Sequence, residues 1–318
     1  MQRTQLATSQ LGSTGMEITR IGFGAWAIGG GNWEFGWGGQ KDDESIAAIE
    51  HALEHGINWI DTAAAYGFGR SEQVVGRALE GARERPFVFT KCSLLEGPDR
   101  RVVHSLKRDS VLREAEASLS RLKLDAIDLY QIHWPNPEPD VEEGWSALAE
   151  LREQGMVRHI GVSNFDVEQL TRIQQIAPVE TLQPQYSLIE RDVEHELLPF
   201  AEDAGIGVIV YAPMGSGLLT GKMTRERVEN MPKDDWRKRD ERFNEPQLSE
   251  HLALVERLRT IADRHATTPG AVAVAWTLRH PAVDGAIVGF RRPDQVDPLL
   301  AAAGLELSDD ELSELEAA

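Results

Sequence analysis

Eight short runs of β-branched or aromatic residues, separated for most of the chain by amphipathic stretches, constrain this sequence more than any other feature. The runs cover residues 21–24, 58–61, 87–91, 126–133, 159–162, 181–186, 207–211 and 286–289. Between them the apolar spacing predicts helices over 43–55, 71–79, 108–122, 141–154, 166–176 and 193–204. Further helices are expected at 249–265 and 269–280, ahead of the eighth run, and at 293–303 and 308–316 after it. Strands alternating with helices make a parallel sheet, and eight of them fit a closed (β/α)8 TIM barrel better than an open one. All 318 residues are then expected to form one domain, 1–318, since barrels reach this size as single units. Residues 11–19, with Gly12 and Gly15 among polar neighbours, predict an N-terminal β-hairpin capping the barrel floor.

Two long connections break the regular spacing. One, 28–41, is glycine-rich and carries Trp33, Phe35 and Trp37; the other, 215–247, mixes glycine, methionine and charges. Loops of this length in a compact domain are functional or disordered. Both are expected at the C-terminal mouth of the barrel, with the Trp33 loop as a lid over substrate.

Active sites of such barrels are assembled where the strands end. Those ends carry Trp26, Asp61, Lys91, His133, Ser163–Asn164, Tyr211 and Gly289. Charged residues directly after apolar runs are costly to bury unless paired, so a convergent polar cluster is expected. Reducing a carbonyl needs an acid for the developing alkoxide, and Tyr66, five residues past Asp61, is a candidate. A phenol titrates near 10, and a neighbouring ammonium, Lys91, is expected to lower it. Asp61 would hold Lys91 charged, and His133 can hydrogen-bond the substrate oxygen or relay a proton.

The net charge of −19 argues against a nucleic-acid partner, which would be repelled at long range. An anionic cofactor would need a local basic site. No apolar run is long enough for a membrane helix, residues 1–10 lack a signal-peptide core, and Cys92 is the single cysteine. A cytoplasmic protein, monomeric or a weak homo-oligomer, is therefore expected. No histidine pair is read as having metal-ligand spacing with a matching carboxylate, so no metal is expected. His51, His55, His280 and the other histidines besides His133 are read as helix-surface residues, and Cys92 as an outward-facing packing residue.

The segment Gly56-Ile57-Asn58-Trp59-Ile60-Asp61-Thr62-Ala63-Ala64-Ala65-Tyr66-Gly67 resembles the Asp…Tyr signature of the aldo-keto reductase family. Thr90-Lys91, Leu129 to Trp134, Ile160 to Phe165, Gln183 to Leu188 and Tyr211 to Lys222 are similar to further family motifs in the same order. The resemblance covers nearly the whole chain. It implies NADPH-dependent reduction of an aldehyde or ketone to an alcohol, reversibly, with Asp61, Tyr66, Lys91 and His133 as catalytic tetrad. It also implies that Gly24, Trp26 and Asp61 border the cofactor, while Ser163, Asn164 and Gln183 bind the nicotinamide carboxamide and Tyr211 stacks on its ring. Pro213, Met214, Gly215, Gly217, Leu218 and Lys222 would hold the pyrophosphate, and Gly289, Arg291, Arg292 and Gln295 the adenosine ribose. Trp26, Trp33, Tyr66, His133 and Trp134 would face the substrate. Pro298 and Leu299 depart from the Glu-Asn that many relatives use to contact adenine. Adjacent Arg291 and Arg292 are expected to clamp the extra phosphate of NADPH, at most one of them being taken by Asp294 or Asp297. The alternative reading is an NADPH-binding redox sensor of low turnover; a third, a Schiff-base lyase using Lys91, conflicts with the charge that Asp61 imposes.

Overall fold

The computed structural model describes residues 6–316; the first five residues of the polar N-terminal segment, 1–5, and residues 317–318 lie outside the described part. The chain opens with β1 (Thr8–Gln10) and β2 (Glu17–Thr19), an antiparallel hairpin, then β3 (Ile21–Gly24), α1 (Asp42–Glu54), β4 (Trp59–Asp61) and α2 (Arg70–Leu79). Next come β5 (Phe87–Cys92), a second antiparallel pair β6 (Leu94–Glu96) and β7 (Val102–His104), α3 (Arg108–Leu122) and β8 (Ile127–Ile132). The chain continues with α4 (Val141–Glu153), β9 (Val157–Ser163), α5 (Val167–Ile173), β10 (Thr181–Gln183), α6 (Leu197–Asp203) and β11 (Gly207–Val210). It closes with α7 (Arg225–Glu229), α8 (Gln247–Arg264), α9 (Pro269–Leu278), β12 (Gly285–Gly289), α10 (Asp297–Leu300) and α11 (Asp309–Glu316). Strands β3, β4, β5, β8, β9, β10, β11 and β12 pair in parallel in that order, and β12 pairs back to β3, closing the eight-stranded barrel.

The hairpin strands flank residues 11–16 instead of filling 11–19. Its apolar residues Leu11, Met16 and Ile18 pack onto Trp59, Phe89, Leu129, Ile209 and Ile287 inside the barrel and seal one end. Trp59 fills this interior because Gly22 opposite has no side chain: a Cβ there would lie 2.1 Å from the indole. The expected helix 293–303 is broken into short pieces, with Pro298 inside α10 unable to donate a backbone hydrogen bond. The pair β6–β7 and the short helix α7 were not foreseen. No helix among the described residues is long and apolar enough to cross a membrane.

Where β5 ends, Ser93 takes φ of 83° and its N–H donates to Glu114 Oε2 of α3 at 3.0 Å, while Ser110 Oγ lies 3.2 Å from Oε1. Burial raises this carboxyl from 4.5 to about 7. A raised carboxyl contributes stability that is full below its unfolded value and lost as pH climbs through the folded one. Wild-type stability should therefore fall by up to about 3 kcal/mol between pH 4.5 and 8 through this group. Glu114→Gln should flatten that dependence in urea melts at pH 5 and pH 8; parallel slopes in both proteins would clear Glu114 of the effect.

Candidate active site

At the mouth formed by the C-terminal strand ends lies a cavity of about 1070 Å³. Asp61 ends β4 and Lys91 sits near the end of β5, where alternation turns it inward and leaves Cys92 packed outward among apolar neighbours. Lys91 Nζ is 2.5 Å from Asp61 Oδ1, donates to the Thr62 carbonyl at 2.9 Å and lies 3.4 Å from Tyr66 Oη. Gln183 Nε2 donates to the other Asp61 oxygen at 2.9 Å. The loop carrying Tyr66 is held close, since Gly29 packs against the Tyr66 backbone, where a Cβ would sit 2.8 Å from its carbonyl carbon. The ring then lies among Trp26, Trp33 and His133, at centroid distances of 6.2, 6.5 and 5.6 Å.

The electrostatics differ from the expectation in one respect. Burial, followed by the charge of Asp61, holds the Tyr66 phenol well above 10 instead of below it. Lys91 Nζ sits closer to Asp61, at 2.5 Å, than to the phenol oxygen, at 3.4 Å. Burial also lowers Lys91 and raises Asp61, each opposed by its partner. His133 is pushed well below 6.5 by burial and by Lys91, so its imidazole is neutral, and its buried Nδ1 has no hydrogen-bond partner among the described residues.

Gly24, Trp26, Trp33, Trp134, Ser163, Asn164, Gln183, Tyr211, Pro213, Met214, Gly217, Lys222, Gly289, Arg291, Arg292 and Gln295 all reach the cavity wall, as do Pro298 and Leu299. Gly215 and Leu218 do not; Leu218 is fully buried in the core beneath. Several polar groups are already linked to one another. Ser163 Oγ donates to the Gln183 carbonyl at 2.7 Å, Asn164 Nδ2 to the His133 carbonyl at 2.9 Å, and Tyr211 Oη to Asn164 Oδ1 at 2.8 Å. At Gly289 an added Cβ would meet no protein atom within 4 Å, so this strand end is open to whatever fills the cavity.

The two long loops are joined across the mouth. Trp37 and Asp235 form an antiparallel bridge, and the Trp236 N–H donates to the Gly36 carbonyl at 2.9 Å. Trp236 stacks on Trp26 at 5.2 Å, and Arg237, ion-paired to Asp235, lies over Trp37. Trp33 is buried with its Nε1 donating to the Gly30 carbonyl, so it is wall and packing at once, whereas Phe35 is exposed. The Trp236 and Arg237 contribution was missed; the aromatic and basic cluster at 236–239 was its only signal.

The two arginines of the expected clamp are held by different partners. Arg292 alone pairs with Asp294, in keeping with the expectation that at most one arginine is taken by a neighbouring aspartate, while Arg291 donates to Gln40 Oε1 and to the carbonyls of Trp37 and Gly39. Arg291 is engaged because the first loop folds against the segment after β12 and brings the Trp37 and Gly39 carbonyls to its guanidinium. Further cations reach the cavity: Arg227 and Lys222 line it with no carboxylate within ion-pair distance among the described residues. Burial, Arg237 and Arg292 together lower Arg227, and burial and Arg237 lower Arg291, which marks the concentration of positive charge.

Two readings of the histidines are also corrected. His104 lies on β7 and lines the cavity, and His159 lies on β9. His51 and His55 stand one helical turn apart and meet Asp297, a carboxylate distant in sequence that α10 brings against α1.

The model of the aldo/keto reductase family matches residues 20–318. The chain is 40% identical over 310 residues to the aldo-keto reductase YhdN of Bacillus subtilis, covering 96% of this chain and 92% of that protein. It is 35% identical over 315 residues to an NADH-specific methylglyoxal reductase of Escherichia coli, covering 94% of each. The structure of glycerol dehydrogenase AKR11B4 from Gluconobacter oxydans superposes with a TM-score of 0.87 at 36% identity, covering 100% of this chain and 95% of that one. An inward Asp–Lys pair beneath a tyrosine at the mouth of a parallel barrel thus accompanies a family match over nearly the full length, and the chain belongs to the aldo/keto reductases, NAD(P)H-dependent oxidoreductases acting on carbonyls.

Proposed function

We propose that the protein reduces an aldehyde or ketone with NADPH, using Tyr66 as the proton donor. The observation that carries this reading is a single cavity with two chemically distinct ends. Tyr66, Asp61 and His133 line one end with Lys91 buried against them, and Lys222, Arg227, Arg291 and Arg292 crowd the other in a chain of net charge −19. A local excess of cations in an acidic protein suits a dinucleotide phosphate. The bound nicotinamide supplies the hydride. Tyr66 Oη, kept protonated by burial and Asp61, donates its proton to the carbonyl oxygen. Lys91 Nζ, 3.4 Å away, stabilises the phenolate left behind. Neutral His133 offers a ring N–H to the same oxygen and so orients the carbonyl. The aromatic walls exclude water and strengthen each of these contacts.

The preference for NADPH rests on Arg292. Its partner Asp294 is exposed, and so open a pair holds a guanidinium only weakly. A ribose phosphate offers charge-assisted bonds that outweigh it. Arg292→Ala should weaken NADPH binding by about one to two decades and leave NADH nearly unchanged. Arg291→Ala should instead loosen the first loop and weaken both nucleotides together. Dissociation constants from tryptophan quenching, with initial rates on a panel of aldehydes and ketones, test both points. A wild type that prefers NADH, or equal losses in Arg292→Ala, would sink the NADPH assignment.

A further inference from the structure

Outside the cavity, α1 and α10 bring together three side chains with the donor chemistry of a metal site. His51 in the last turn of α1 and His55, which caps its C-terminus, are spaced i and i+4, and their ring centroids lie 4.0 Å apart, so both rings leave on the same side. Asp297, the first residue of α10, faces them: its Oδ1 is 2.7 Å from His51 Nε2 and 3.9 Å from His55 Nε2. The candidate ligand atoms all lie within 4.8 Å of one another.

An independent contact orients the second ring. His55 Nδ1 lies 2.7 Å from the His51 carbonyl, which can only accept. Nδ1 therefore donates to that carbonyl, which leaves Nε2 as the ring nitrogen turned to the side of Asp297 and available to a metal ion. A second hydrogen bond of this kind, from the distal ring nitrogen to a backbone carbonyl, is what orients metal-ligating histidines. Bonds of about 2.0–2.1 Å to nitrogen and oxygen in a tetrahedral site place ligand atoms roughly 3.3 Å apart. The observed 2.7 and 3.9 Å lie on either side of that spacing, so small side-chain rotations close the site. A hydrogen bond alone explains His51 with Asp297; His55 Nε2, at 3.9 Å, faces the same carboxylate without making one.

We propose that His51, His55 and Asp297 bind one divalent transition cation of the zinc class. Two imidazoles and a carboxylate match its preference for nitrogen and oxygen, and water fills the fourth position. The cation displaces the hydrogen between His51 Nε2 and Asp297, that proton passes to solvent, and the ligating neutral imidazole carries its single proton on Nδ1. Its structural effect is to staple α1 to α10, whose Pro298 and Leu299 border the cavity.

The test uses full-length, tag-free protein stripped with a chelator and titrated with zinc chloride by calorimetry. One ion per chain with a micromolar dissociation constant is expected. Zinc at about a hundred times that constant should raise Tm by a few degrees. His55→Gln keeps the His51–Asp297 contact, so its metal-free Tm and its carbonyl reduction without added metal should equal wild type. Its zinc affinity should fall by at least about tenfold, as should that of Asp297→Asn. No saturable binding by the wild type, or undiminished one-to-one binding by His55→Gln, overturns the site.

Discussion

Tyr66→Phe is expected to lower kcat by about 10²- to 10⁴-fold, the usual contribution of a positioned general acid, while leaving the cofactor dissociation constant near wild type. The phenol oxygen has Lys91 as its hydrogen-bond partner, at 3.4 Å, and Lys91 keeps Asp61 and the Thr62 carbonyl without it. Phenylalanine preserves the ring and its stacking on Trp26 at 6.2 Å. Loss of the hydroxyl therefore removes a proton donor without opening a void or freeing a buried charge. Single-turnover rates separate chemistry from product release, and tryptophan quenching reports cofactor binding. A variant that keeps half of the wild-type single-turnover rate would remove Tyr66 from the reaction; one that loses cofactor affinity in step with rate would make it a binding residue.

Lys91→Met is expected to cost about 3–5 kcal/mol of stability, the range for stranding one member of a buried ion pair, and to depress turnover as well. Lys91 and Asp61 are 1% and 2% exposed, so solvent cannot take over from the missing partner. Asp61 retains the amide of Gln183 but no cation within ion-pair distance among the described residues. Burial already raises its carboxyl, and without Lys91 nothing comparable opposes that shift. A carboxyl raised in the folded state contributes stability at low pH that disappears as pH rises through its folded value. The variant should thus be relatively more stable at pH 5 than at pH 8. Adding Asp61→Asn removes the charge yet keeps an acceptor for Gln183, so the double variant should recover most of the stability and none of the activity. Chemical denaturation at the two pH values measures the first effect and steady-state rates the second. Recovery of both would make the pair a structural feature only.

These outcomes depend on a site that was partly legible before folding. Asp61, Lys91 and His133 stood out because each follows an apolar run, and a strand end is a local property of side-chain alternation. The eight strands were found for the same reason, with β10 and β11 ending earlier than expected. Tyr66 could be attached to the cluster because five residues is a short reach for a loop. The β6–β7 pair was missed because 94–104 breaks strand alternation with Gly97 and Pro98.

What the sequence by itself determined is therefore the barrel, the order of its strands and the residue types delivered to the mouth, all written in period and spacing along the chain. Tertiary structure decided how those residues are spent. Arg291 lost its freedom to the carbonyls of Trp37 and Gly39, more than 200 positions earlier in the chain. His51 and His55 gained Asp297, 246 residues from His51. The Tyr66 phenol rose instead of falling, since desolvation depends on what closes over a group and not on its neighbours in sequence. Local periodicity fixes where a side chain leaves the backbone; partners and burial come from segments that meet only when the loops close.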